Sequence, residues 1–206
     1  MASGPLDIPL SDLLARAARG DEPAWSTIVH AYTPRVFGLV VRQCGDRDLA
    51  EEITQQTFVK LVVQLGDEQG YQEQGRFEAW LFRIAINALR DELRRRQRHA
   101  RPMDMSDADT DDDTNAAWRA SAARVSDAPE PLDNLSRQEQ IEQLRQAMAS
   151  LNDADQQILH LRHTAGLSFP QIAEALQQPL GTVLARAHRA VAKLRKILQD
   201  QLTPDT

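Results

Sequence analysis

The side chains with most to offer chemically are arginines. Seven of them lie between residues 83 and 101, among only two acids, and the stretch 181–198 adds Arg186, His188, Arg189, Lys193, Arg195 and Lys196 with no acid at all. Cationic groups at that density match a polyanionic backbone. Asp91 stands four residues before Arg95, but such a pair contributes only about 0.2–0.5 kcal/mol and does not account for the excess. Two clusters well apart in the chain therefore predict two nucleic-acid contacts. Catalytic chemistry is poorly served. His160 and His163 are three residues apart, yet no cysteine or carboxylate stands at ligand spacing beside them, so they are expected half-exposed on a helix. There is no glycine-rich phosphate loop and no nucleophile motif. The single cysteine, Cys44, cannot close an internal disulfide, reads as a small core residue and fits a reducing cytoplasm. The expectation is no catalytic residue, no metal and no cofactor.

The elements that carry the second cluster are the more legible. Residues 153–198 predict three short helices. Ser168 can cap the middle one, with Gln171 closing a capping box and Pro170 tolerated in the first turn. Pro179 cannot continue that helix, and Gly181 opens the next. From there Val183, Ala187, Ala190, Val191, Leu194 and Leu198 make an apolar face opposite the basic one. A small helix, a tight turn and a basic second helix make a helix-turn-helix, whose second helix suits the major groove. The plainer alternative is a helical hairpin with a solvated basic face.

The first cluster sits on FEAWLFRIAINALRDELRRRQRHAR, residues 77–101. Phe77, Trp80, Leu81, Ile84, Ala88 and Leu89 are expected to pack inward, leaving the arginines outside. Ahead of it, LGDEQGYQEQGRF (65–77) is a polar loop whose aromatic is Tyr71. An arginine-sided helix beside such a loop can hold a phosphate backbone while bases meet the loop. Residues 46–65 predict a helix capped by Asp46 or Asp48 and ended by Gly66, with Leu49, Ile53, Phe58, Leu61 and Leu65 inward and Glu51, Glu52, Gln55, Gln56 and Lys60 outward. That outward face is either solvated surface or a docking face. Earlier, a helix from Ser11 or Asp12 runs to near Gly20. Asp21 caps another carrying Trp25, Ile28 and Tyr32, which Pro34 should kink or restart before Gly45.

A chain of 206 residues holds one large or two small domains, and its few aromatics and lack of apolar alternation favour an all-α fold. The net charge of −6 is unevenly placed: residues 11–98 hold thirteen bases and thirteen acids, 99–136 three and nine, 137–206 eight and seven. Residues 102–135 add three prolines and little apolar content, so 99–135 is expected to be a flexible acidic linker, disordered apart from a weakly docked helix near Trp118. The resulting boundaries are 11–98, 99–135 and 136–200. No apolar run approaches membrane-span length, and no signal-peptide core precedes them.

Taken together, AEEITQQTF (50–58), FEAWLFRIAINALRDELRRR (77–96) and GLSFPQIAEALQQPLGTVLARAHR (166–189) resemble the region 2 and region 4 signatures of RNA polymerase sigma factors of the extracytoplasmic-function group. The resemblance covers 11–98 and 136–198. It implies a sigma factor that binds core RNA polymerase and directs it to promoters, without catalysis of its own. Glu51, Glu52, Gln55 and Gln56 would meet the polymerase clamp helices. Tyr71, Arg76, Trp80, Arg83, Asn87, Arg90 and Arg94 would hold and melt the −10 element. Thr182, Leu184, Ala185, Arg186, His188, Arg189 and Lys193 would read the −35 element, with region 4 also touching the polymerase flap. An anti-sigma factor and a cytoplasmic location are implied as well. Leu184 and Ala185 depart from the pattern, which often has a basic residue and a serine there. Apolar side chains can meet a thymine methyl but cannot donate to a guanine, so −35 choice is expected to be altered or weakened. The linker is also longer and more acidic than in compact members. The alternative function is a conventional helix-turn-helix repressor or activator acting without polymerase, usually as a dimer on two half-sites.

Overall fold

The computed structural model describes residues 8–67, 71, 74–100 and 134–202, and among these every regular element is a helix. The N-terminal unit comprises α1 (Leu10–Ala18), α2 (Glu22–Cys44), α3 (Arg47–Gly66) and α4 (Phe77–Ala100). The C-terminal unit comprises α5 (Asn134–Ala149), α6 (Asp153–His163), α7 (Phe169–Leu176) and α8 (Leu180–Leu202). The acidic segment, with its expected helix near Trp118, lies outside the described residues.

Capping decides where the helices begin. Asp21 accepts from the Ala24 N–H at 3.3 Å and Asp46 from the Leu49 N–H at 3.0 Å, each satisfying a donor the helix cannot. Gly45, at φ +65°, ends α2 in the left-handed conformation with its N–H on the Val41 carbonyl at 2.8 Å. The helix does not restart at Pro34 but runs through it. An interior proline costs about 3 kcal/mol. Burial of Ile28, Tyr32, Val36, Leu39 and Val40 along one side offsets this, at about 1.5–3 kcal/mol for each large apolar side chain.

The buried side chains form a cluster that runs through both units. Ile28, Val36, Ile53, Leu61, Phe77, Leu81 and Phe82 on one side are continuous with Ile158, Leu161, Leu167, Ile172 and Val183 on the other. α4 packs on α7, and α2 on α6. Two helical units were legible in the pattern; a shared core was not. It explains the inward set of α4. Phe77, Leu81, Ala88 and Leu89 are buried as expected, but Trp80 and Ile84 are only partly so, whereas Phe82, Ala85 and Ile86 are fully covered. A helix packed on two sides buries a wider face than one apolar stripe predicts. A smaller cluster of Leu151, Leu159 and Ala190, with Met148 and Leu194, ties α5 and α6 to α8.

Candidate nucleic-acid interface

The basic face of α8 is set by the turn before it. Ser168 caps α7 with the reciprocal bonds of a capping box: its hydroxyl accepts from the Gln171 N–H, and the Gln171 side chain accepts from the Ser168 N–H at 2.8 Å. α7 ends at Gln177, which adopts the left-handed conformation at φ 54°, and Pro179 opens the turn into α8. Val183, Ala187 and Ala190 face the core. Thr182, Leu184, Ala185, His188, Arg189 and Lys193 are exposed, and Arg186 is partly so. These seven thus share the outer side of one helix, with Leu184 43 % exposed at its start. Lys193 is engaged at home, donating to the Ser150 carbonyl at 2.7 Å. It braces the end of α5 as well as contributing charge.

On α4, Arg76, Trp80, Arg83, Asn87, Arg90 and Arg94 recur at alternating steps of four and three residues, which lines them along one side of a helix and its approach. The structure stacks Trp80 against Tyr71, ring centroids 4.2 Å apart at 25°. Both rings lean on Phe77, which in turn meets Tyr32 edge-on at 5.3 Å. Both rings are partly buried. Arg83 is partly buried, while Asn87, Arg90 and Arg94 are exposed. Two of the basic groups reach the C-terminal unit. Arg76 pairs with Glu174 at 3.7 Å, and Arg90 donates to Gln157 at 3.1 Å.

The end of the arginine helix is internally anchored. Arg95 pairs with Glu92 at 2.7 Å, not with Asp91 as the i,i+4 spacing suggested. Glu92 is buried and also holds Arg96, which reaches Asp46 at 3.0 Å. Bonds from Arg95 and then Arg96 hold the Glu92 carboxyl below the usual carboxylate range, while the Leu49 N–H and then Arg96 do so for Asp46. Both carboxylates therefore stay ionised beside the guanidinium groups.

On α3, Glu51, Glu52, Gln55 and Gln56 are all exposed, joined by Gln56 to Glu52 at 3.1 Å and by Arg47 to Glu51 at 3.3 Å. The same side continues into Val59, Val62 and Val63, which are 57, 51 and 66 % exposed. Three exposed valines were missed in the sequence. The signal was present, because residues 58–65 hold six apolar side chains, more than one inward stripe accommodates. Arg35 and Glu78, which meet Ala165 and Gln171 between the two units, carried no sequence signal of their own, and the capping-box spacing that marks Gln171 does not show its bond to Glu78.

Of the two histidines weighed for metal, His163 is exposed and His160 mostly covered, its pKa pushed down to about 4 by burial and then by Arg42 and His163. Among the described residues no three histidine, cysteine or acidic side chains gather as a metal site, and no helix is long and apolar enough to cross a membrane.

Comparison with known proteins follows the same division. Sigma-70 region 2 matches residues 28–99, and Sigma-70 region 4 matches 147–196. The RNA polymerase sigma-H factor of Pseudomonas aeruginosa is 34 % identical over 190 residues, 92 % of this chain and 94 % of that one. The extracytoplasmic-function sigma factor SigW of Bacillus subtilis is 27 % identical over 95 % of this chain and all of its own length. In fold, the chain is similar to CnrH in complex with the cytosolic domain of CnrY, at a TM-score of 0.60 and 20 % identity over 92 % of this chain and 96 % of that one. It is also similar to the sigma factor RpoE of Bartonella quintana in complex with the anti-sigma factor NepR, at 0.58 and 20 % identity over 85 and 96 %.

Proposed function

From the premise that this chain belongs to the sigma-70 family, in its extracytoplasmic-function group, we propose how its surfaces divide the work of a promoter-directing subunit of RNA polymerase. The observation that carries the reading is that one chain holds an exposed basic helix-turn-helix face and, on a separate unit, an arginine stripe that begins at an aromatic stack. A conventional repressor needs the first and has no use for the second.

The region 4 unit, 136–200, lays α8 in the major groove of the −35 element. Arg186, His188 and Arg189 supply donors to base edges and phosphates, Thr182 and Lys193 flank them, and Leu184 and Ala185 offer apolar contact. The region 2 unit, 11–98, takes the −10 element. Trp80 and Tyr71 receive bases that have left the stack, Asn87 offers an amide to a base edge, and Arg76, Arg83, Arg90 and Arg94 hold the strand's phosphates. Melting then needs no bond chemistry: each captured base contributes about 1–3 kcal/mol of stacking against the cost of opening the duplex. The α3 face, from Glu51 and Glu52 through Gln55 and Gln56 to the exposed valines, docks on the clamp helices of core polymerase, and region 4 also touches the flap. The acidic segment between the units is repelled by DNA and serves as their tether. The chain acts in the cytoplasm, without catalysis or cofactor, and is restrained by an anti-sigma factor until its promoters are needed.

The test is an alanine scan of holoenzyme binding. Arg189→Ala should weaken affinity for a −35 duplex by about 1–3 kcal/mol and relax preference at one base pair if it reads a base. A uniform loss across sequences that shrinks with added salt would make it a phosphate contact. An unchanged footprint would show that α8 is not the groove helix.

A further inference from the structure

The apolar anchoring of α4 stops well before the helix does. Among its described side chains Leu89 is the last buried apolar one; Leu93 is partly covered, and Arg94, Arg95, Arg96 and Arg98 beyond it are exposed. The end of the helix is nevertheless tied down, and the tie is ionic. The Glu92 carboxylate, only 8 % exposed, accepts from Arg95 Nε at 2.7 Å and Nη2 at 2.9 Å, and from Arg96 Nε at 2.9 Å. Arg96 Nη1 goes on to donate to Asp46 Oδ2 at 3.0 Å. The other Asp46 oxygen takes the Leu49 N–H, so one carboxylate both caps α3 and holds α4. The Arg95 pKa is raised, first by Glu92 and more weakly by Glu52, a residue of the outward α3 face.

We propose, on the promoter reading above, that Glu92, Arg96 and Asp46 are positioning residues for strand capture: they fix the far end of the arginine stripe on the start of the core-docking helix, and Arg95 and Arg96 serve that purpose instead of gripping phosphate. Arg94 is the last member of the stripe and follows Leu93, where apolar contact runs out. Its place relative to Trp80 and Asn87 therefore depends on how the last turns are held. A guanidinium bonded to a buried carboxylate is not at liberty to meet a phosphate, because leaving would strand a buried charge without its partner. The planar fork of Arg95 also matches the carboxylate in one geometry, which fixes direction as well as distance. The helix whose outward face meets polymerase thus starts at the carboxylate that holds the helix whose stripe meets the strand. Positioning and contact differ in sign. Removing a carboxylate beside the stripe raises the local positive charge and releases guanidinium groups; if these were strand contacts, binding would tighten and its salt dependence steepen. A positioning network requires the opposite, weaker binding despite the added positive charge.

The test uses the full chain assembled with core polymerase, and a labelled single-stranded non-template oligonucleotide from the −10 region of a promoter that the wild-type holoenzyme selects. Glu92→Gln keeps the shape of the carboxylate and removes its charge. Asp46→Asn keeps a capping side chain on α3 and removes the charge that holds Arg96. Each is expected to weaken oligonucleotide binding at least about fivefold while core affinity stays within about twofold of wild type. The double variant should be little weaker than the worse single one, since both break one network. In the chain itself, amide exchange over residues 93–98 should accelerate at least about tenfold in Glu92→Gln, with 79–89 unchanged. Should Glu92→Gln fail to fold, Asp46→Asn, which alters an exposed pair, carries both measurements alone. Tighter binding in either variant would make Arg95 and Arg96 strand contacts and overturn the proposal. Affinity within about twofold of wild type would also overturn it, as would a parallel loss of core binding, the mark of a purely structural pair. Additive losses in the double variant would count against a single network. If the wild-type holoenzyme selects no promoter, the promoter reading fails, and the exchange rates still decide whether the network fixes the helix end: unchanged rates would show that it does not.

Discussion

Leu184 concentrates what is particular to this chain. It stands near the start of α8, it is 43 % exposed, and it offers neither donor nor acceptor. Its best partner is a thymine methyl. Replacing promoter thymines one at a time by deoxyuridine should therefore weaken −35 binding at one position for the wild type, and no longer at that position for Leu184→Ala. Equal sensitivity in both proteins would separate Leu184 from base reading. His160 yields a prediction of another kind. Its folded pKa of about 4 lies below the ordinary value, so the fold favours the neutral ring, and that contribution is complete above about pH 6.5 and lost as pH falls toward 4. Between pH 7 and 4.5 the wild type should lose roughly 2–3 kcal/mol more than His160→Gln, carboxylate terms cancelling in the comparison. Urea midpoints at the two pH values measure it. Parallel losses would mean the ring is hydrated in solution. Residue by residue, the exposure of Thr182, Ala185, His188 and Arg189 was legible because apolar spacing fixes which side of a helix faces out. The low pKa of His160 was not, since it comes first from burial in the folded chain and then from Arg42, a residue of the other unit.

At the scale of elements, capping and periodicity carried most of the fold. Asp21, Asp46 and Ser168 start helices as their side-chain chemistry dictates, and Gly45 ends one. Two elements depart from their local patterns for tertiary reasons: α2 passes through Pro34 because its buried side outweighs the lost bond, and α4 buries Phe82, Ala85 and Ile86 because region 4 covers a second side of it. α3 departs the other way, leaving Val59, Val62 and Val63 in water beside Glu52 and Gln56. On the proposed reading of the α3 face as the clamp contact, the exposed valines should add apolar contact to core polymerase. Val63→Asp is expected to leave the folding midpoint near the wild-type value, since surface changes usually stay within about 0.5 kcal/mol, and to weaken core binding by at least about tenfold. A titration of labelled chain with core enzyme checks this. Undiminished affinity would place the clamp contact elsewhere on the unit.

At the scale of the molecule, the sequence divides into two near-neutral helical units, each carrying one basic helix, and an acidic segment; Sigma-70 region 2 matches residues 28–99 and region 4 residues 147–196. The continuous core between the units escaped sequence reading because it joins apolar side chains far apart in the chain, such as Phe82 and Ile172, and the polar contacts beside it, Arg35 with Ala165 and Glu78 with Gln171, are equally remote in sequence. The most direct test of the whole account is initiation in a reconstituted system. Purified chain added to core RNA polymerase should yield transcripts from discrete start sites on genomic DNA, each preceded by a protected −35 segment and a −10 segment whose non-template thymines become reactive to permanganate. Core enzyme alone should yield none of these. Tight binding of the chain to duplex sites without polymerase, together with no start-site selection when core enzyme is present, would contradict the account.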